Sequence, residues 1–293
     1  MDGTLVLIAT PIGNPDDFSP RAAAMLAASD LVLCEDTRVT GRLLAALGLS
    51  KPCLSYHDHN EVRRIEPVLE RLREGETIAL VSDAGMPAVS DPGQRLVAAV
   101  AAQGFRVSVI PGPSASLAAL AVSGLDTARF YFEGFLAPKG TDRETRIAYL
   151  KHFPDTFILY EAPHRLEKTL ADLEAAGLGP RKLAICRELT KRYEEVLYLT
   201  VAEAISHYRD TAIRGEFVLV VEGESEYLRR SPEKRQADKV RQTEDARQFM
   251  RDRLAAGENK SDVRREAAAR FGLSRNEAYR ITVELEADSD MLE

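Results

Sequence analysis

The sequence predicts an α/β protein with two α/β domains and a small helical module after them. Three observations carry that prediction. Strand-length apolar runs alternate with helical segments over residues 4–110, the chain breaks at Pro111-Gly-Pro113 before a second set of strands and helices with longer connections, and beyond a charged stretch at residues 229–239 only helical spacing remains. Strict βα alternation gives a parallel sheet, here of about five strands, whereas the longer connections of the second half point to a mixed sheet with helices. The expected domains are residues 1–113, 114–226 and 240–293.

The elements follow from local chemistry. Residues 4–10 form an apolar run that stops at Pro11, and Ser19-Pro20 sets a cap and a first-turn proline before a helix over 21–28. Residues 30–35 make the second strand, and a helix over 38–47 is closed by Gly48. A short strand at 53–56 precedes a helix from Glu61 to about Arg73, with Asn60 as its cap. Residues 77–82, a helix after Gly93 and a strand at 106–110 complete the first domain. Ser114 is the expected cap of an alanine-rich helix over 115–123. The second domain has strands at 130–133, 156–161, 182–187 and 216–222, with helices at 163–176 and 201–208. Residues 229–239 carry Pro232 and read as a linker. Three helices follow at 243–256, 260–271 and 274–286, with Ser261 and Ser274 as expected caps. Val263, Ala267, Ala268 and Phe271, then Ala278, Ile281 and Leu285, fall at helical spacing there. The last two helices, joined by Phe-Gly-Leu-Ser, have the form of a helix-turn-helix, although a plain three-helix cap fits the same pattern.

With 293 residues, 45% hydrophobic and 29% charged, the chain can bury real cores. No apolar run approaches the length of a membrane span, and the start lacks a basic n-region with a signal core, so a cytoplasmic location without membrane contact is expected. Cys34, Cys53 and Cys186 lie apart in apolar runs and read as reduced thiols. The net charge of −7 hides an asymmetry, because residues 227–281 hold 15 Lys+Arg against 9 Asp+Glu, a local +6. A basic module on an acidic body is an electrostatic footprint for nucleic acid.

The candidate site centres on Val81-Ser-Asp-Ala-Gly-Met-Pro-Ala-Val-Ser-Asp-Pro-Gly93. This bent, rigid loop leaves a strand's carboxyl end, where ligands of open α/β sheets bind. No G-x-G-x-x-G or P-loop pattern follows any strand, which argues against a dinucleotide or nucleoside-triphosphate site. Glu35-Asp36-Thr37-Arg38 leaves the second strand toward the same crevice; its carboxylates can position a hydroxyl, accept its proton or pair with Arg38. His57 and His59 lack a third ligand at useful spacing, so no metal is expected, and His57 reads as a hydrogen-bonding cleft residue. Lys139, Arg143, Arg146 and Lys151 form either a solvated face or phosphate contacts. Lys191 and Glu194 are equally able to reach the cleft or to form a structural pair.

Ser82-Asp-Ala-Gly-Met-Pro-Ala-Val-Ser-Asp-Pro-Gly93 resembles the signature of the tetrapyrrole-methylase superfamily, in its ribosomal RNA small subunit methyltransferase I branch. Thr4-Leu-Val-Leu-Ile-Ala-Thr-Pro-Ile-Gly-Asn14, Glu35-Asp-Thr-Arg38, Ser55-Tyr-His57, Pro111-Gly-Pro-Ser-Ala115, Tyr160-Glu-Ala-Pro-His-Arg165 and Glu188-Leu-Thr-Lys191 resemble the same branch in order. The chain departs from the usual pattern at Met86 and Ala88, where threonine and glycine are common. The resemblance implies two α/β domains of the tetrapyrrole-methylase type with S-adenosylmethionine folded in the cleft between them. It implies contacts from Pro11, Ser82, Asp83, Ala84, Gly85, Val89, Ser114, Ala115, Tyr160 and Pro163. It further implies 2′-O-methylation of a cytidine ribose in 16S ribosomal RNA near the decoding centre, with 16S rRNA or the small subunit as partner, and a homodimer. A ribose hydroxyl is a weak nucleophile and needs a proton acceptor; Asp36 is the first choice, with Glu35 and His57 as alternatives. Two rival readings are a methylase of tetrapyrrole intermediates and a non-catalytic helix-turn-helix regulator.

Overall fold

The computed structural model describes residues 3–290, except for the side chains of residues 232, 234–238 and 286–290. The last three residues of the expected helical domain lie outside this range. Five strands, β1 (Thr4–Ile8), β2 (Leu31–Cys34), β3 (Cys53–Ser55), β4 (Thr77–Leu80) and β5 (Arg106–Ile110), form one sheet in the order β3-β2-β4-β1-β5. Every pairing in it is parallel. The connections contain α1 (Pro20–Ala28), α2 (Thr37–Ala46), α3 (Glu61–Arg73) and α4 (Gln94–Ala102). Side chains alternate across the sheet, so Leu5, Leu7, Leu31 and Leu33 pack under α3 and α4 while Val6, Ile8, Val32 and Cys34 pack under α1 and α2. Ser19 accepts the Ala22 amide at the start of α1, with Pro20 in the first turn as its sequence predicts.

After α5 (Ala115–Val122) comes a second sheet, with β6 (Phe130–Phe135), α6 (Thr141–Lys151), β7 (Thr156–Glu161), α7 (Leu166–Leu173), β8 (Lys182–Arg187), β9 (Glu195–Thr200), α8 (Val201–Tyr208) and β10 (Phe217–Val221). Its order is β6-β7-β10-β8-β9, with β6 and β7 parallel and the other pairs antiparallel. The parallel and mixed sheets thus follow the predicted fold class. Helix α5 covers one face through Ala119 and Leu120 against Ile158, Ala184, Val218 and Val220. The other face buries Phe157, Leu159, Leu183, Ile185, Leu219 and Val221 beneath α7 and α8.

Several expectations are corrected. Strand β9 and helix α6 were not anticipated, although Thr200 with Glu203 forms a capping box that marks where β9 gives way to α8. The helix expected over 163–176 is a short tight turn at Pro163–Arg165, then α7, then a wide turn at Glu174–Leu178 in which Gly177 has φ 96°. Ser114 makes no cap hydrogen bond; its hydroxyl lies 3.2 Å from that of Ser116. Asn60 does not cap α3 either, because its Oδ1 accepts the His57 amide at 2.9 Å.

The chain divides into two compact units, residues 1–224 and 225–293, and both sheets belong to the first. The stretch read as a linker is helical. Helix α9 (Glu224–Arg230) ends just before α10 (Pro232–Ala255), whose proline occupies the first turn, where its missing N–H costs nothing. Helix α10 packs with α11 (Lys260–Phe271) and α12 (Arg275–Asp290) around Ala246, Met250, Val263, Ala267, Ile281 and Leu285. Asn259 rather than Ser261 caps α11, while Ser274 caps α12 in a reciprocal box with Glu277. Gly272 ends α11 with φ 62°. Among the described residues no helix is long and apolar enough to cross a membrane.

Candidate active site

The loop after β4 is locked to the loop after β1 by a backbone bridge. Thr10 donates its amide to the Gly85 carbonyl at 2.8 Å, and Gly85 donates to the Thr10 carbonyl at 3.1 Å. The Thr10 hydroxyl donates to the Ser82 carbonyl, and the Ser82 hydroxyl to the Gly85 carbonyl, both at 3.1 Å. Gly85 has φ 86°, and a Cβ there would stand 3.3 Å from Ile12 Cγ2. Ala88 and Ser90 adopt left-handed backbone at φ 66° and 60°. Such residues store strain that the surrounding packing must hold, and at Ala88 a glycine would relieve it. The loop reaches the second sheet where β6 bulges between Phe132 and Gly134. A Cβ at Gly134, where φ is 74°, would come within 2.8 Å of Ser90 Oγ, so a larger residue would have to displace that hydroxyl and strain the backbone.

These loops enclose a cavity of about 380 Å³. Ile12, Met86 and Val89 supply apolar wall from the first sheet, and Phe135, Leu189 and Phe217 from the second. Tyr160 stands between them, its ring edge-on to Phe132 and Phe135 at 4.9 and 5.6 Å, and its hydroxyl accepts the Ser116 amide at 3.1 Å. The opening of α5 is thereby tied to β7.

Of the expected cofactor contacts, Asp83, Ala84, Gly85, Val89, Ser114, Ala115, Tyr160 and Pro163 line this cavity. Pro11 and Ser82 do not. Ser82 is 4% exposed and spends its hydroxyl on the Gly85 turn, so it shapes the loop from behind. Ile12 lines the wall in place of Pro11.

Of the expected catalytic residues only Glu35 lines the cavity. Asp36 turns away to cap α2. Its Oδ1 accepts the Arg38 amide at 2.8 Å, and both oxygens accept from the Arg38 guanidinium, with Nη2 at 2.6 Å. The Arg38 hydrogen bonds hold its carboxyl at about 2, and Asp36, the first-choice acceptor of the sequence, is not among the residues that line the cavity. His57 lies outside the lining too. Its Nε2 meets Asn60 Nδ2 at 3.0 Å, and its Nδ1 is buried with no partner among the described residues. Glu35 is raised from the ordinary glutamate value, chiefly by burial and then by Asp83 and Asp58, against a pull from His57. Asp83 is raised by burial while its Oδ1 accepts the Asp36 amide at 3.2 Å.

Sequence reasoning missed three lining carboxylates, Asp91, Glu161 and Glu216. Asp91, in the same loop, is pushed up to about 6, chiefly by burial, with the nearby Ser82 side chain pulling the other way. Glu161, 2% exposed, sits in Tyr160-Glu-Ala-Pro-His-Arg165. Its Oε1 accepts the Ala162 amide at 2.9 Å and faces Arg165 Nε at 3.2 Å, while Oε2 accepts the Thr169 hydroxyl at 2.5 Å. Arg143 is buried, donates to Thr169 Oγ1 at 2.8 Å and to Asp172 at 2.7 Å, and is a structural residue rather than a surface cation. Arg146 pairs with Glu133, and Lys191 with Glu188 and Glu216 at 3.0 and 2.9 Å; Glu194 instead accepts the Thr190 amide at 2.6 Å. The thiols are free, with Cys34 and Cys186 pushed up to about 11 by burial. Among the described residues no group of three His, Cys, Asp or Glu could hold a metal ion.

An apolar slot with aromatic edges suits a flat heterocycle, and the carboxylates at its rim suit hydroxyls and cationic groups. Residues 4–205 match the family model of Tetrapyrrole (Corrin/Porphyrin) Methylases. The fold is shared with a uroporphyrin III C-methyltransferase from Thermus thermophilus (TM-score 0.55, 16% identity, 77% of this chain and 99% of that one). It is also shared with a form of that enzyme complexed with S-adenyl homocysteine (TM-score 0.53, 18% identity, 77% and 99%). The family match, with the shared fold, assigns the chain to the tetrapyrrole methylases. The sequence is 44% identical to the ribosomal RNA small subunit methyltransferase I of Synechocystis over 98% of this chain and 99% of that one, and 38% identical to that of Bacillus subtilis over 94% and 93%. The Thermotoga maritima protein of that name, 42% identical, is covered over 99% of its length by 221 residues, 75% of this chain. Within the tetrapyrrole methylases, the chain belongs to the ribosomal RNA small subunit methyltransferase I family.

Proposed function

We propose that this protein is an S-adenosylmethionine-dependent methyltransferase acting on the 2′-hydroxyl of a cytidine ribose in 16S ribosomal RNA, near the decoding centre. The cavity carries the reading, since its apolar slot and rim carboxylates match the chemistry of that cofactor. When bound, the cofactor supplies an electrophilic methyl on a sulfonium. Ile12, Val89 and Phe217 would wall the adenine, Asp83 would take ribose hydroxyls, and Ser114 with Ala115 at the start of α5 would face a polar end. Glu35 would accept the proton of the attacking hydroxyl, because it faces the cavity and is more basic than an ordinary glutamate. Alignment of the two substrates supplies the rest of the rate. The α/β unit is divided at Pro113, since α5 beyond it packs on the second sheet. The partner is 16S rRNA or the small ribosomal subunit, in the cytoplasm, with the enzyme acting as a homodimer. Mapping ribose methylation of 16S rRNA in a deletion strain, with and without the restored gene, tests the activity. An unchanged map would overturn it, and methylation of a tetrapyrrole instead would establish the rival enzyme.

Gly85→Val places a branched side chain at φ 86° and against Ile12, at a backbone cost of roughly 1–2 kcal/mol. Calorimetry should show at least a roughly tenfold loss of S-adenosylmethionine affinity, as the loop shifts into the cavity. Wild-type affinity would remove the loop from the cofactor site.

A chain ending at Arg230 should keep its cofactor affinity, consistent with the Thermotoga relative, whose length matches the α/β unit alone. It should lose much of its affinity for 16S rRNA, and the dependence of binding on salt should flatten as phosphate contacts disappear. Many tail cations are already paired, Arg253 with Glu258 and Glu266 and Arg247 with Glu284, so the loss should fall short of what the local +6 alone implies. An unchanged salt slope would place the RNA surface on the α/β unit.

A further inference from the structure

The cofactor cavity is lined by five carboxylates, from Glu35, Asp83, Asp91, Glu161 and Glu216, and by no lysine, arginine or histidine. Glu161 is neutralised by Arg165 and Glu216 by Lys191. Glu35, Asp83 and Asp91 have no ion-pair partner among the described residues. Asp91 lies in the strained turn between Ala88 and Gly93, where Ser90 approaches the second sheet, and it lines the cavity. The charged and titratable groups around it are Glu35 after β2, Asp58 after β3, Asp83 after β4 and Tyr160 on β7, with the Ser82 hydroxyl alongside. All of these are acidic or neutral; Arg38 and Arg42 of α2 act on Asp83, and His57 acts on Glu35. Burying uncompensated negative charge is unfavourable unless a cation arrives to meet it.

We propose that Asp91 is a specificity-determining residue that selects the cationic cofactor, S-adenosylmethionine, over its product, S-adenosylhomocysteine, whose sulfur is neutral. This rests on the cofactor reading above. The two ligands share an adenosine and an amino-acid end and differ by one methyl and one positive charge, so a local negative field distinguishes them where shape hardly can. The same field aids turnover, because transfer of the methyl removes the charge that held the ligand.

The test is calorimetric binding of S-adenosylmethionine, S-adenosylhomocysteine and sinefungin, a cationic analogue with an amine in place of the sulfonium. In Asp91→Asn, the two cations should weaken by roughly tenfold to a hundredfold, the effect of one partly desolvated charge at close range, and S-adenosylhomocysteine by much less. Asp91→Glu should retain the discrimination. An Asp91→Asn protein with the wild-type ratio of affinities overturns the inference while leaving the cofactor reading intact. Wild-type protein that binds none of the three overturns both. Should Asp91→Asn fail to fold, the wild-type protein decides. At pH 6, in two buffers of different ionisation enthalpy, S-adenosylmethionine should expel protons from the acidic cluster, because a nearby cation lowers carboxyl pKa values. S-adenosylhomocysteine should expel far fewer, and equal proton release for both overturns the inference.

Discussion

Replacing Glu35 by Gln should lower the single-turnover rate of methyl transfer by roughly two to four orders of magnitude at saturating cofactor, the span of a lost general base. Asp36→Asn should cost less than roughly tenfold, because Asp36 is spent on Arg38 and the start of α2 and faces away from the cavity. The contrast between adjacent carboxylates is the useful part, since both substitutions remove one charge from the same loop. The pH profile gives a second readout. A base must be ionised to act, so the wild-type rate should hold above the folded pKa of Glu35 and fall as pH drops through it. Burial and the neighbouring Asp83 raise that pKa, so the acid limb should lie above the ordinary glutamate range and should vanish in Glu35→Gln. A labelled-methyl, single-turnover assay on the small subunit checks both. A near-normal rate in Glu35→Gln would leave alignment alone to drive the reaction.

Glu161→Gln should destabilise the α/β unit by about 3–5 kcal/mol, the range for removing one charge of a buried pair. The substitution keeps the shape and leaves Arg165, whose side chain is only 21% exposed, without its counter-charge. The amide NH2 must also face either Thr169, whose hydroxyl proton goes to Glu161 while its oxygen accepts from Arg143, or the Ala162 amide and Arg165. In either orientation two donors would face each other at a buried side chain. Urea unfolding should show a lower midpoint at unchanged m-value, as expected when packing and compactness are retained. A loss below about 1 kcal/mol would mean that the network tolerates a neutral centre.

The secondary elements were most legible where the local code is strongest. Ser19-Pro20 and Ser274 with Glu277 announce helix starts that the structure has. Continuous apolar strands such as Thr4–Ile8 and Thr77–Leu80 announce a sheet covered on both faces. Strand β9 escaped notice although Glu195-Val-Leu-Tyr-Leu-Thr200 is a strand-length apolar run; it lies on the sheet edge with Tyr198 64% exposed, so it lacks the buried signature of its neighbours. Pro232 was read as a break because proline ends helices, yet in a first turn it begins one.

By itself, the sequence determined the fold class, the family and the loop around which the cavity forms, because these depend on residue type and order along a contiguous stretch. Only the tertiary structure decided which carboxylates face the cavity. Glu35 and Asp36 are neighbours of the same charge, and their roles separate because one continues the end of β2 into the crevice while the other turns back to bond the amide of Arg38. Asp91, in the loop after β4, and Glu161, at the end of β7, lie 70 residues apart in sequence, and among the described residues Asp91 has no ion-pair partner while Glu161 is neutralised by Arg165. Whether a carboxylate is a base, a brace or a field depends on its burial and on which cation lies within reach. Both are properties of the packed chain, and no pattern in the linear order of residues records them.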